Sequence, residues 1–144
     1  MIRIICVGKV KESFYREAIL EYMKRMSKYH KILIEEVSDS NIEQEKELIL
    51  KKIDKRDYIV TLEIEGNQLN SLEFSEMIDK TFLNYSVITF IIGGSNGLSD
   101  EIKKLANYKL SFSKLTFPHQ LFRVILLEQI YRAFKILHHE SYHK

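Results

Sequence analysis

Val87-Ile88-Thr89-Phe90-Ile91-Ile92-Gly93-Gly94-Ser95-Asn96-Gly97-Leu98-Ser99 is the stretch that decides the fold. Its first six residues are nearly continuous apolar. A strand of that composition is covered on both faces, as strands of parallel sheets are. Three of the five glycines follow, and Ser99 is placed to cap a helix running to about Ala106. The stretch therefore predicts a buried strand, a glycine loop at its carboxyl end, and a helix. Ligands of open α/β sheets bind at that edge. Glycines let a ligand approach the backbone, and a helix N-terminus offers free N–H groups. The spacing is neither the dinucleotide fingerprint nor a phosphate loop, which needs a Lys-Ser/Thr pair. On the glycines alone, a tight turn and a ligand loop are equally good readings.

Outward from this stretch the same alternation repeats. Ile2 to Val7 reads as a buried strand ending at Gly8. Ser13 is placed to cap a helix whose Tyr15, Ala18, Ile19, Tyr22, Met23 and Met26 share one face. Ile32 to Glu35 reads as a second strand. Ser40 and Glu43 have the spacing of a capping box, with Ile42, Ile49, Leu50 and Ile53 as the inner face of the following helix. Tyr58 to Ile64 reads as a third strand, ended by Gly66 and Asn67. Ser71 is placed to cap a helix with Phe74, Met77, Ile78, Thr81, Phe82 and Tyr85 on one face. Tyr108 to Phe112 reads as the last strand. Pro118, the only proline, opens a final helix to about Leu137. Strict alternation of this kind predicts an α/β fold, a parallel sheet with helices on both faces. No linker interrupts residues 1–144, so one domain is expected.

Composition narrows the class. The chain has 144 residues, 45% hydrophobic and 29% charged, with a formal net charge of +2. That suits one domain with a sizeable core and excludes a disordered chain or a strongly basic nucleic-acid wrapper. A single cysteine, Cys6, excludes an internal disulfide framework and fits a small buried strand residue. No run of about 18 apolar residues occurs, and the N-terminus turns charged too early for a secretory signal. A soluble cytoplasmic protein with no membrane partner is expected. From Pro118 to Lys144, four basic residues face two acidic ones, so an anionic partner would meet positive surface chiefly there.

The final helix is apolar most of the way round, from Leu121 and Phe122 to Ile136 and Leu137. A helix of that kind must be buried all round, and a second subunit is the economical cover. A homodimer through this helix is expected. Ser111 to Gln120, containing Thr116-Phe117-Pro118-His119-Gln120, is a second loop on the edge that carries the glycine loop. Together the two loops can form a pocket of backbone N–H and C=O groups with apolar walls, suited to an uncharged purine. His139-Glu140-Ser141-Tyr142-His143 matches the zinc-protease pattern H-E-x-x-H. That chemistry needs a firm helix and a third ligand; chain ends fray, so no metal is expected. His119, Arg123, Glu128 and Arg132 punctuate the apolar helix. Glu128 and Arg132 have ion-pair spacing, and Arg132 also suits bidentate phosphate binding.

These motifs resemble one family. Ile92 to Leu98, Leu110 to Gln120, Leu127-Glu128-Gln129-Ile130-Tyr131-Arg132-Ala133-Phe134 and the ending Tyr142-His143-Lys144 are similar to the small bacterial SPOUT-class rRNA methyltransferases. Those enzymes methylate N3 of a pseudouridine in 23S rRNA. The similarity runs end to end, through Ile5-Cys6-Val7-Gly8-Lys9 and Val60-Thr61-Leu62-Glu63. It implies a trefoil knot near the C-terminus, which base rates alone would exclude. It also implies a homodimer, with S-adenosylmethionine (the methyl donor) held by Leu62, Gly93, Gly94 and the run Phe112, Ser113, Lys114, Leu115, Thr116, Phe117 and Pro118. Tyr142 and His143 become candidates for handling the proton of the acceptor base, and Arg132 and Lys144 for phosphate. One departure stands out: relatives carry a glycine where this chain has His139, and a side chain adopts positive φ less freely. Two other readings compete: a non-catalytic dimeric RNA- or ribosome-binding module, and a SPOUT methyltransferase acting on tRNA. An intact donor pocket argues against the first, and the lack of an extra RNA-binding domain against the second.

Overall fold

The computed structural model describes Met1–Lys144. Its elements run β1 (Ile2–Val7), α1 (Ser13–Met26), β2 (Ile32–Val37), α2 (Ile42–Lys52), β3 (Tyr58–Gln68), α3 (Ser71–Thr81), β4 (Ile88–Ile92), α4 (Asp100–Leu105), β5 (Tyr108–Ser111) and α5 (His119–Leu137). The five strands form one sheet in the order β2-β1-β4-β3-β5, and every ladder is parallel. The expected α/β architecture is therefore the observed one.

Strand periodicity sorts the core into two layers. Ile88, Phe90 and Ile92 of β4 join Met26, Phe74, Ile78, Leu126, Ile130 and Phe134 on the face covered by α1, α3 and α5. Ile91 joins Ile5, Ile49, Ile59, Leu98 and Ile102 on the face covered by α2 and α4. All five residues of β4 are buried, as a strand with helices on both sides must be. On α5, Leu126, Leu127, Ile130 and Phe134 are buried, while Leu121, Val124, Ile125, Ile136 and Leu137 remain only half-buried.

Several boundaries differ from the sequence reading, each for a local reason. Ser13 is the first residue of α1; Glu12 takes the N-cap position without a side-chain bond. The cap of α2 is Asn41, which accepts from the Gln44 N–H, so the Ser40–Glu43 pairing does not form. Asn70, not Ser71, caps α3 in a capping box with Glu73; the Ser71 hydroxyl donates to Gln129 Oε1 on α5 instead, at 2.8 Å. In both caps an asparagine one residue away competed with the serine, and the phase of the buried face decided. Ser99 caps α4 as expected, accepting from the Ile102 N–H. The second strand runs on to Val37. The third does not end at Gly66 but continues to Gln68 after an interruption: Leu62 and Asn67 both pair with Leu110. Gly66 is needed there because a Cβ would lie 2.8 Å from the Lys109 carbonyl.

The exit of α5 carries a left-handed residue. His139 has φ 55°. Its N–H reaches the Ile136 carbonyl at 3.1 Å, and the Glu140 N–H reaches that of Lys135 at 2.9 Å. This is the Schellman arrangement, with histidine in the position glycine usually holds. The tail thus follows a glycine-type exit despite the side chain. Since the left-handed region costs a non-glycine residue roughly 1–2 kcal/mol, His139→Gly is expected to raise the melting temperature by a few degrees. A thermal melt of both proteins checks this; a lower melting temperature for the variant would contradict the strain.

Candidate active site

A cavity of about 420 Å³ opens at the carboxyl edge of the sheet. Three segments build it: Leu62–Glu65 from the interrupted part of β3, the glycine loop after β4, and the loop from β5 to α5. The glycine loop is a tight turn in which the Gly97 N–H meets the Gly94 carbonyl at 3.0 Å, with Gly97 at φ 73°. A Cβ on Gly93 would lie 2.7 Å from the Gly97 carbonyl, and one on Gly94 would lie 2.9 Å from Val7 Cγ1. The glycine loop is thus a turn, as one of the two sequence readings had it, and its residues line a cavity.

Of the ten residues expected to hold a donor, Leu62, Gly93, Gly94, Phe112, Ser113, Leu115, Thr116 and Phe117 line this cavity. Lys114 and Pro118 do not; both are exposed, and Pro118 is spent on the N-cap position of α5. The walls are mostly apolar, with Ile92, Leu98, Phe112, Phe117 and Phe122. Phe112 and Phe122 pack with ring centroids 5.1 Å apart. The cavity also contains polar groups to which the sequence reading gave no role: Glu63, Glu65, Lys103 and His119. His119 sits over the end of β1, its Nε2 3.3 Å from where a Gly8 Cβ would stand. The buried Arg123, one turn along α5, donates to the Gly8 carbonyl at 3.1 Å and to Glu36 at 2.6 Å.

Tyr142, His143 and Arg132 come together, but at the opposite end of α5. The ten residue steps from Phe122 to Arg132 span about 15 Å of helix. Arg132 is ion-paired with Glu128, and its guanidinium lies 4.8 Å from the centroid of the Tyr142 ring. The Tyr142 hydroxyl donates to Glu128 Oε1 at 3.1 Å. Burial first, and the Glu128 carboxylate second, push this phenol up to about 12. Tyr142 is thus a hydrogen-bond donor at neutral pH. Arg132 Nη1 lies 3.1 Å from His143 Nδ1. Arginine only donates, so Nδ1 accepts and the ring proton belongs on Nε2. Beyond Leu137 the chain leaves the helix, so His139 and His143 are not one helical turn apart as the zinc pattern requires. Cys6 is buried, and desolvation raises its thiol to about 11.

The comparisons with known proteins agree with one another. The model for the family described as predicted SPOUT methyltransferases matches residues 1–143. A ribosomal RNA large subunit methyltransferase H of Clostridium botulinum is 53% identical over 157 aligned positions, covering 99% of each chain. Among solved structures, a probable methylase family protein from Haemophilus influenzae has a TM-score of 0.60 at 11% identity, covering 99% of this chain and 70% of that one. The SpoU methyltransferase AviRb of Streptomyces viridochromogenes, in complex with the cofactor AdoMet, has a TM-score of 0.50 at 10% identity, covering 94% of this chain and 60% of that one.

Behind the glycine loop lies a buried carboxylate. Glu45, on the inner face of α2, is 2% exposed. One oxygen accepts from the Ser40 N–H at 2.8 Å; the other has no partner and stands 3.5 Å from where a Gly94 Cβ would be. Burial, reinforced by the neighbouring Asp39 carboxylate, raises the pKa of Glu45. The folded state therefore keeps this proton to higher pH than the unfolded chain does. Stability is lost as pH rises from the unfolded value through the raised one. Glu45→Gln keeps an acceptor for Ser40 and gains a donor for Asp39. An unsatisfied buried group costs roughly 1–3 kcal/mol, so the variant is expected to melt several degrees higher at pH 8. The gain should shrink toward pH 4, and a gain that grew on acidification would refute the assignment.

Proposed function

The chain belongs to the SPOUT methyltransferase family, and from that premise we propose that it moves a methyl group from S-adenosylmethionine to N3 of a pseudouridine in 23S rRNA. In this reading residues 1–144 are one cytoplasmic domain that acts as a homodimer on the assembled ribosome, its C-terminal segment threaded as a trefoil knot. One observation carries the reading: two loops separated by α4 and β5, 93–98 and 112–117, face one cavity of nucleoside size. The 53%-identical relative named for ribosomal RNA supports the substrate, and the AdoMet held by AviRb supports the donor. The crossing from β5, at the sheet edge, to His119 beside β1 passes the β4 loop, which supports a threaded segment. The half-buried apolar flank of α5 supports a second subunit along it. With only +2 net charge, a preassembled RNA surface suits the protein better than a naked strand, whose affinity comes mainly from phosphate contacts.

The residues present fit the donor. The glycine cradle, which a Cβ on either Gly93 or Gly94 would crowd, admits a ligand against bare backbone, and the phenylalanine-rich walls suit a purine. Bound there, S-adenosylmethionine supplies an electrophilic methyl group on a sulfonium. The chain's own part is positioning, which can account for much of the acceleration of such a transfer. N3 of the acceptor must also lose its proton. His119 on the cavity wall and His143 of the tail are the candidates to accept it, His143 only once it is released from Arg132. Tyr142 serves as a donor to the acceptor base, and Arg132 and Lys144 hold phosphate. Because the tail and the cavity are at opposite ends of α5, the tail of one subunit serves the cavity of the other.

Calorimetric titration is expected to show saturable binding of S-adenosylmethionine. Gly93→Ala, which forces the turn apart, should weaken it at least tenfold while leaving the circular dichroism spectrum unchanged. A wild-type protein that binds no donor at millimolar concentration would overturn the donor site. Mixed dimers of a Gly93→Ala subunit and a Tyr142→Ala/His143→Ala subunit should recover part of the activity that each homodimer lacks. No recovery would mean that each subunit works with its own tail.

A further inference from the structure

We infer that Glu63 accepts hydrogen bonds from the ribose hydroxyls of the adenosyl ligand, and that Thr61 holds it in place to do so. This rests on the donor reading above. The regular part of β3 pairs with β4 only as far as Thr61, and with β5 as far as Leu62. Pairing with β5 resumes at Asn67, on the same partner residue, Leu110. Residues 63–66 are thereby lifted out of the ladder, a bulge of the kind that re-aims side chains beside active sites. Glu63 lies on the cavity wall as a result.

Its carboxylate is fixed from behind. Residues 61 and 63 share a sheet face, and the fully buried Thr61 donates its hydroxyl to Glu63 Oε2 at 2.6 Å. Oε1 has Lys103 Nζ at 3.9 Å, close enough for attraction but beyond a hydrogen bond. The Glu63 side chain is only 11% exposed, yet Oε1 retains its acceptor capacity. A held carboxylate with free lone pairs in a nucleoside-sized cavity is a receptor for a vicinal diol, whose two hydroxyls both donate. A ligand ammonium would have to compete with Lys103, whereas hydroxyls do not. Glu65, the other carboxylate on the wall, is exposed and lacks such a brace.

The test is calorimetry with S-adenosylhomocysteine and its 2′-deoxy and 3′-deoxy analogues. Removing a hydroxyl should cost the wild type about tenfold in affinity, the range of a hydrogen bond to a charged group. Glu63→Gln should lose about tenfold for the parent ligand and then barely distinguish the deoxy analogues. Thr61→Val should blunt the discrimination and Thr61→Ser restore it, a pattern a merely structural threonine would not produce. Lys103→Ala should leave the discrimination intact. If the Glu63→Gln and deoxy losses simply multiply, or if the wild type ignores the missing hydroxyls, the ribose assignment fails while the donor site stands. If the wild type binds neither S-adenosylmethionine nor S-adenosylhomocysteine, the donor reading itself has failed.

Discussion

The placement of α5 depends on one buried cation. Arg123, 2% exposed, reaches across from α5 to the Gly8 carbonyl, just past β1, and to Glu36 on β2. Burying a guanidinium is costly unless its donors are met; both Nη atoms are met here while the buried Nε is not, so few positions of the helix that bears it would keep even those two bonds. The helix begins only eight residues after β5 ends, yet β5 and β1 are three strand positions apart in the sheet, about 14 Å. Arg123 therefore anchors the far end of this crossing. That crossing carries Phe112 to Phe117 past the glycine loop and makes a cavity of what would otherwise be an open edge.

The same helix separates the cavity from the side-chain cluster of the tail. Its start borders the cavity through His119 and Phe122. Its end holds Glu128 and Arg132 against Tyr142 and His143. A straight helix cannot fold its tail back over its own beginning. Glu140 adds to the constraint by accepting from the Tyr29 hydroxyl at 2.7 Å and from Lys135 at 3.1 Å, which ties the tail to the turn after α1 and to α5. The half-buried side chains along α5 and the remote tail both fit the second subunit proposed above.

Much of this was legible in the residues themselves. The alternation of elements, the two-faced burial of β4 and the inward stripe of α1 follow from periodicities of two and 3.6, which are properties of the backbone. The eight cavity-lining residues among those expected to hold the donor were legible through the family motifs. Glu63 and His119 lay within quoted motifs, but nothing local says which way a side chain faces once a strand bulges or a helix crosses a sheet. For Glu45 a signal existed: a carboxylate at the i+3 place of the Ile42 and Ile49 stripe. It is easily read as a helix exposing its polar side.

The helix caps show where local reading stops. Ser40 and Asn41, like Asn70 and Ser71, offer equivalent oxygens one residue apart, and only packing of the inner face chose between them. His139 shows the opposite case, a residue whose intrinsic preference opposes the left-handed exit but is overruled by the two carbonyls that need donors there. Residue order dictated which segments become strands and helices and which loops lie at the carboxyl edge, because those follow from hydrophobic period and turn chemistry. Only the assembled fold made the loops converge, set Thr61 behind Glu63 as its brace, and stood the tail a helix length from the cavity. Those depend on where whole elements pack and where a strand bulges, and no local preference encodes them.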